Sequence, residues 1–333
     1  MAPVPSRRSV PSRRSVPPRS ALPSRRAALL GAALAATAAA CSGGKGEGAH
    51  APPPSGPRSP TTTTATTGGP TAAAPTTTAP TTAAPTTAPP VDPRAVAARH
   101  AGATPTQWGL DVTGVDHTVA DPGAATAPTM ALTFDACGGP GSDGVDTALL
   151  DLLEREQLPA TLFLNARWVG ANPAAVQRIL AQPLWEVGNH GTRHLPLSVN
   201  GRSAYGIAGT RSADEVVDEV WANHEQLRRL TGAAPKWFRS GTAHYDEVAT
   251  TIVAELGEQP VGFVVNGDAG ATLSARAVTA ALTTAPPTPG AVAIMHMIRP
   301  GGGTAPGLAA ALPALRARGT RFVTLSGGGG AVP

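Results

Sequence analysis

The sequence predicts an α/β domain built on a parallel sheet and preceded by a long leader that does not contribute to the core. Short apolar runs rich in Val, Ile, Phe and Leu recur at 130–134, 160–164, 185–187, 236–238, 261–265, 292–295 and 321–325. Amphipathic stretches of helical period separate most of them. Seven strands alternating with about six helices require crossover connections, hence a parallel sheet, either closed as a barrel or open and doubly wound. All 12 aromatic residues of the 333 lie between Trp108 and Phe322, so one folded domain is expected over 108–333.

Along the chain, residues 1–41 come first and read as an address. Basic residues precede an apolar run at 27–40, followed by small residues and Cys41, the layout of a secretory signal. Fourteen apolar residues are too few to span a bilayer comfortably. Ser24-Arg25-Arg26-Ala27-Ala28-Leu29-Leu30 resembles a twin-arginine export signal. Ala38-Ala39-Ala40-Cys41 is similar to a lipoprotein cleavage box, which predicts a lipid anchor on Cys41; plain cleavage near Ala40 is the alternative. A bacterial, exported protein is expected, either secreted or held at the cell surface. These residues also carry seven arginines and no acid, so the formal charge falls from +4 to −3 without them. A basic nucleic-acid-binding surface is thereby excluded as the default reading.

Residues 42–107 are Gly-rich and then Pro/Thr/Ala-rich, with no large aromatic residue. Such a stretch cannot offset the entropy of ordering and is expected to be a disordered linker, a stalk between a membrane and the domain.

Within the folded part, residues 146–156 place Leu149, Leu150, Leu152 and Leu153 on one helical side, and Asn172-Pro173 puts proline at a helix start. Ser212-Ala213-Asp214-Glu215 is a capping box ahead of Val216, Val217, Val220 and Leu227. Residues 246–256, 274–282 and 307–318 complete the helices. Trp168, Trp185, Trp221 and Trp237 are read as core, and His224 as solvated on a charged helix.

The strand ends carry the chemistry-bearing residues. The first run continues into Asp135-Ala136-Cys137, the third into His190-Gly191-Thr192-Arg193-His194, and the fourth into Arg239. Asp268 follows the fifth, and His296 ends the sixth. Two His four apart can share one metal, since imidazole is a preferred ligand of zinc and its neighbours. Arg239 can fork onto a carboxylate. Asp, His and Arg delivered by five strand ends define a metal-assisted hydrolase more economically than any single motif. The glycines at 138–144 and 301–303 lack a following Lys-Ser/Thr pair, which argues against nucleotide binding.

The order of these residues resembles the polysaccharide deacetylases with a NodB homology domain, carbohydrate esterase family 4. The likeness covers about 129–326. Thr133-Phe134-Asp135-Ala136 is similar to the family's Thr-Phe-Asp-Asp, His190 and His194 to its His-x-x-x-His, Arg239 to the Arg of its third motif, and Ile294-Met295-His296 to its Leu-x-His. The resemblance implies a distorted (β/α) barrel of seven to eight strands and removal of acetyl groups, N-acetyl rather than O-acetyl, from a polysaccharide such as peptidoglycan or a chitin-like glycan. It implies a divalent metal, zinc in most members, held by His190 and His194. It also implies Asp135 as base, Arg239 as its orienting partner, His296 as acid and Asp268 as the group tuning it. A monomer is expected, touching a membrane only through the N-terminal anchor.

Two positions depart from the family. Ala136 stands where the third, carboxylate ligand is expected, and a methyl group cannot coordinate. Cys137 is the nearest substitute, although strand alternation is expected to turn it elsewhere; Asp143, Asp146 and His244 are the other candidates. The third motif lacks its Pro and aromatic after Arg239. The alternative function that Ala136 suggests is a barrel without strong catalysis that binds glycan at the surface.

Overall fold

The computed structural model describes residues 91–120, 128–285 and 288–327. The export signal, Cys41 and the linker as far as residue 90 lie outside the described residues. Among the described residues, no helix is long and apolar enough to cross a membrane.

Strand β1 (Thr129–Ala136) is the centre of the sheet and is buried along its whole length. It pairs in parallel with β2 (Ala160–Leu164) on one side and β7 (Ala291–His296) on the other, while β8 (Arg321–Val323) pairs with its first three residues. Outward from β2 come β3 (Trp185–Asn189), β4 (Trp237–Phe238) and β5 (Gln259–Pro260); beyond β7 lies β6 (Val265–Asn266). Every pairing is parallel. The result is a curled sheet, the distorted barrel, whose edge strands β5 and β6 do not pair with each other. The preceding segment fills that opening: Asp116 bridges Val261, and Thr118 bridges Ala291.

Alternation along β1 sorts its side chains into two layers. Met130, Leu132, Phe134 and Ala136 pack with Leu149, Leu153, Leu162, Leu164 and Trp168 beneath the helices. Ala131 packs with Phe163, Val261 and Val292 inside the curl. Thr133 and Asp135 share the inner parity. Each fully buried Leu of the helix layer contributes about 2 kcal/mol, so the layer is what fixes the strand's rotation.

Helices α2 (Thr147–Arg155), α4 (Pro173–Leu180), α5 (Ala213–Thr231), α6 (Glu247–Glu255), α7 (Ala275–Thr284) and α8 (Thr304–Ala317) fall where helical period is visible. Asp146, Ser212, Asp246 and Ser274 each accept a backbone N–H at the start of the helix that follows. The short α3 (Ala166–Ala171) has no periodicity of its own. It is started by Asn165, which accepts from Arg167 N at 3.0 Å.

Two expectations need correction. The linker does not run to residue 107: Pro93–Arg99 forms α1, capped by Asp92, with Val96 and Ala97 buried among residues of α5 and α6. His100 and Arg99 both engage Glu255, and Glu247 accepts from Thr106 and Gln107. Small residues suffice there because α5 and α6 supply the large ones. The run 261–265 is not one strand: residues 261–264 form the gap between β5 and β6, and only Val265 belongs to β6. The backbone of the gap serves other partners, since Gly262 O accepts from Arg239 Nη2 at 3.0 Å and Gly262 N donates to Asp116 O at 2.8 Å.

Candidate active site

Parallel strands place their carboxyl ends together, and the candidate residues gather there. Asp135 and His296 are register partners at the ends of β1 and β7. His190 and Arg239 each follow one residue after the paired Asn189 and Phe238. A cleft of about 540 Å³ opens on this end, lined by Asp135, Cys137, His194, Tyr205, Thr242 and His296 among others.

Arg239 is wholly buried, and Asp135 nearly so. Arg239 Nη1 donates to Asp135 Oδ1 at 2.9 Å and to Thr133 Oγ1 at 2.8 Å, and its guanidinium lies 4.3 Å from the Phe163 ring centre. Burial disfavours a charged Asp135, but Arg239, with His190 and His296, outweighs it and holds the carboxyl below its ordinary range. Asp135 is therefore a carboxylate with one oxygen committed to Arg239 and the other, Oδ2, 3.7 Å from His190 Nε2.

His190 is buried, and its Nδ1 donates to Arg239 O at 2.8 Å. This contact fixes the tautomer and leaves the lone pair of Nε2 free. His190 Nε2 and His194 Nε2 are both buried without a hydrogen-bond partner. The ligand atoms of Cys137, His190 and His194 lie within 4.8 Å of one another. Two orphaned imidazole nitrogens beside a sulfur are a donor set that fits a divalent transition metal. Burial opposes a thiolate at Cys137, yet contacts from His190, His194 and His296 hold the thiol well below its usual range. The other candidate third ligands are engaged elsewhere. Asp143 accepts from Gly139 N, Asp146 caps α2, and His244 Nδ1 donates to Thr242 O at 2.7 Å.

His296 exposes 14% of its side chain, and its Nδ1 lies 2.8 Å from Asp268 Oδ1. Asp268 Oδ2 accepts from His296 N at 2.7 Å and from Thr304 Oγ1 at 2.9 Å. Burial works against an imidazolium, but Asp268 and Cys137 prevail and hold His296 well above the usual histidine range.

Three features escaped the sequence reading. Glu219, wholly buried on α5, accepts from Arg193 N at 2.9 Å and Leu195 N at 3.1 Å. It clamps the backbone on both sides of His194, a non-glycine residue held at φ 64°. The neighbouring Gly241 is required, because a Cβ there would lie 2.3 Å from His194 C. His224 is buried rather than solvated: its Nδ1 meets Glu258 Oε1 at 2.7 Å, and Asn189 Nδ2 donates to the same oxygen at 2.8 Å. Tyr205, 77% exposed, stands on the cleft rim edge-on to His244. A buried Glu on an amphipathic helix leaves no pattern, and Tyr205 lies in a loop without period.

Fold and site resemble those of polysaccharide deacetylase domains, and residues 123–261 match the family model described as polysaccharide deacetylase. Among particular proteins, the chain is similar to the peptidoglycan-N-acetylglucosamine deacetylase PgdA of Listeria monocytogenes, at 30% identity over 204 residues, which are 61% of this chain and 39% of that protein. This chain thus spans well under half the length of that relative. A solved peptidoglycan N-acetylglucosamine deacetylase is 28% identical with a TM-score of 0.50, covering 60% of this chain and 87% of its own. A solved CE4 family pseudoenzyme from Bacillus anthracis shares the fold at 20% identity and TM-score 0.50, covering 60% of this chain and 65% of its own.

Proposed function

We propose that this domain is a metal-dependent hydrolase that removes N-acetyl groups from an exported polysaccharide, with peptidoglycan the first substrate to test. The observation that carries the reading is the pair of supported groups in one register row: Asp135 held ionised by Arg239, and His296 held by Asp268. Similarity to peptidoglycan deacetylases supports the substrate class. The export signal read in residues 1–41 supports a location on the outer side of the membrane, where that polymer lies.

His190 and His194 would hold the divalent metal, which when bound supplies Lewis-acid polarisation of the acetyl carbonyl. Asp135 Oδ2, free of Arg239, takes the proton of the attacking water. Arg239 keeps the carboxylate charged, and its hydrogen bond to Oδ1 prevents the group from rotating away. His296 donates to Asp268 through Nδ1, which leaves Nε2 to protonate the departing amine. Thr242 Oγ1, buried at the cleft without a partner, is positioned to hydrogen-bond substrate. Tyr205 offers a flat apolar face of the kind that stacks on sugar rings.

The test is acetate and free-amine release from N-acetylated peptidoglycan and chitin oligomers by the purified, metal-loaded chain, with Asp135→Asn and His296→Ala alongside. Losses of about 10²- to 10⁴-fold in kcat are expected for each variant. Ala136 favours a second reading, a glycan-binding barrel. Tight glycan binding by folded, metal-loaded protein with no acetate released would establish it in place of the first.

A further inference from the structure

We propose that Cys137 is the third ligand of this metal site, binding as a thiolate, and that the site therefore selects thiophilic divalent metals over hard, oxygen-preferring ones. The inference rests on the hydrolase reading for the metal itself. It adds the identity of a ligand and the chemical class of the ion.

The parity of β1 decides which residue faces the cleft. Ala136 belongs to the helix layer, in one buried cluster with Leu164, Trp168 and Met297, and does not line the cleft, so a donor at that position in this strand would point away from the cleft. Cys137 continues the inner series of Ala131, Thr133 and Asp135, and it lines the cleft with Asp135. Alternation therefore turns Cys137 toward the site, contrary to the expectation from sequence. The turn that follows holds it there. Gly138 has φ 69°, and a Cβ on it would lie 2.5 Å from Trp168 N, so only glycine lets the chain leave β1 at this point.

The neighbours of Cys137 supply the independent observation. His190 Nε2 and His194 Nε2 are buried without a hydrogen-bond partner, and the ligand atoms of all three residues cluster within 4.8 Å. Among the described residues, no carboxylate joins the cluster that Cys137 forms with His190 and His194. Asp135 Oδ1 is bonded to Arg239, and Asp143 and Asp146 serve backbone N–H groups. Two imidazoles and one thiolate leave a fourth tetrahedral position open, as hydrolytic zinc centres require. Thiolate is a soft ligand, which favours zinc, cobalt or cadmium and disfavours magnesium, calcium and manganese. On binding, the Cys137 S–H bond breaks as the S–metal bond forms, and the proton leaves to solvent.

The experiment is cobalt(II) substitution of the full chain followed by absorption spectroscopy, with Cys137→Ser, Cys137→Asp and His190→Ala alongside and circular dichroism as the check on folding. Wild type is expected to show a near-ultraviolet thiolate-to-cobalt charge-transfer band that disappears in Cys137→Ser, with zinc bound at least about tenfold more weakly. The Cys137→Asp variant is expected to narrow the preference for zinc over manganese in competition. A stoichiometric cobalt complex lacking the band, or a band and affinity unchanged in Cys137→Ser, would overturn the inference and leave the hydrolase reading standing. If Cys137→Ser does not fold, the wild-type spectrum and the zinc–manganese competition decide alone: equal retention of manganese refutes it. Failure of folded wild type to bind any of these metals would overturn both.

Discussion

Arg239 Nη1 donates to Asp135 Oδ1 at 2.9 Å with neither side chain reached by solvent to any useful extent. Removing one partner of such a pair leaves an uncompensated buried charge, which costs far more than the pair itself is worth. Arg239→Ala is expected to destabilise the domain by about 3–5 kcal/mol in urea unfolding. Combining it with Asp135→Asn should recover a large part of that loss, and simple additivity of the two losses would refute the account.

Glu219 holds the turn that carries His194. Glu219→Ala removes the acceptor for Arg193 N and Leu195 N, and His194 is then free to relax from its left-handed conformation. Metal affinity is expected to fall by about 10- to 100-fold while the far-ultraviolet spectrum is retained. Isothermal titration with zinc checks this, and an unchanged dissociation constant would show that Gly241 alone shapes the turn.

The methyl group of Ala136 lies in the helix layer, not in the cluster of Cys137, His190 and His194. Ala136→Asp is therefore not expected to supply the carboxylate that the family motif carries. It should instead bury a charge among Leu164, Trp168 and Met297, at a cost on the order of 3 kcal/mol. Thermal melting and zinc titration of this variant measure the two outcomes together; tighter metal binding without loss of stability would contradict the strand parity described above.

Glu258, beneath the cleft and hydrogen-bonded to Asn189, gives the domain a pH dependence of its own. Burial pushes its carboxyl up to about 7 from 4.5, against the opposing pull of His224 and Asn189. The folded chain thus retains a proton that the unfolded chain releases, and stability falls as pH rises from about 4.5 through 7. Above that window the full cost, a few kcal/mol, is present. Glu258→Gln should flatten this slope in denaturation midpoints measured between pH 5 and pH 8, in steps of about one unit, and an unchanged slope would place the titration elsewhere.

Much of this architecture is legible locally. Six of the seven apolar runs and the caps at Asp146, Ser212, Asp246 and Ser274 announce strands and helices because alternation, helical period and capping depend on near neighbours in the chain. The ends of those strands announce the chemistry for the same reason: Asp135, His190, His194, Arg239 and His296 each sit one or two residues beyond a recognisable apolar run or a short turn from it. The order of these residues then suffices to recognise the resemblance to polysaccharide deacetylases.

Tertiary structure alone decided the rest. Whether residue 136 or 137 faces the cleft depends on how the helix layer grips β1, and Phe134, Ala136, Leu164 and Trp168 settle it together. Whether residues 93–99 fold depends on an apolar face that α5 and α6 provide from more than a hundred residues away. Glu219 reaches His194, and Glu258 reaches His224 and Asn189, across distances in sequence that no periodicity records. Local spacing determines which elements form and which chemistry they carry; contacts between distant segments determine which side chains point at one another, because a buried polar group acts through the partner that the folded chain brings to it.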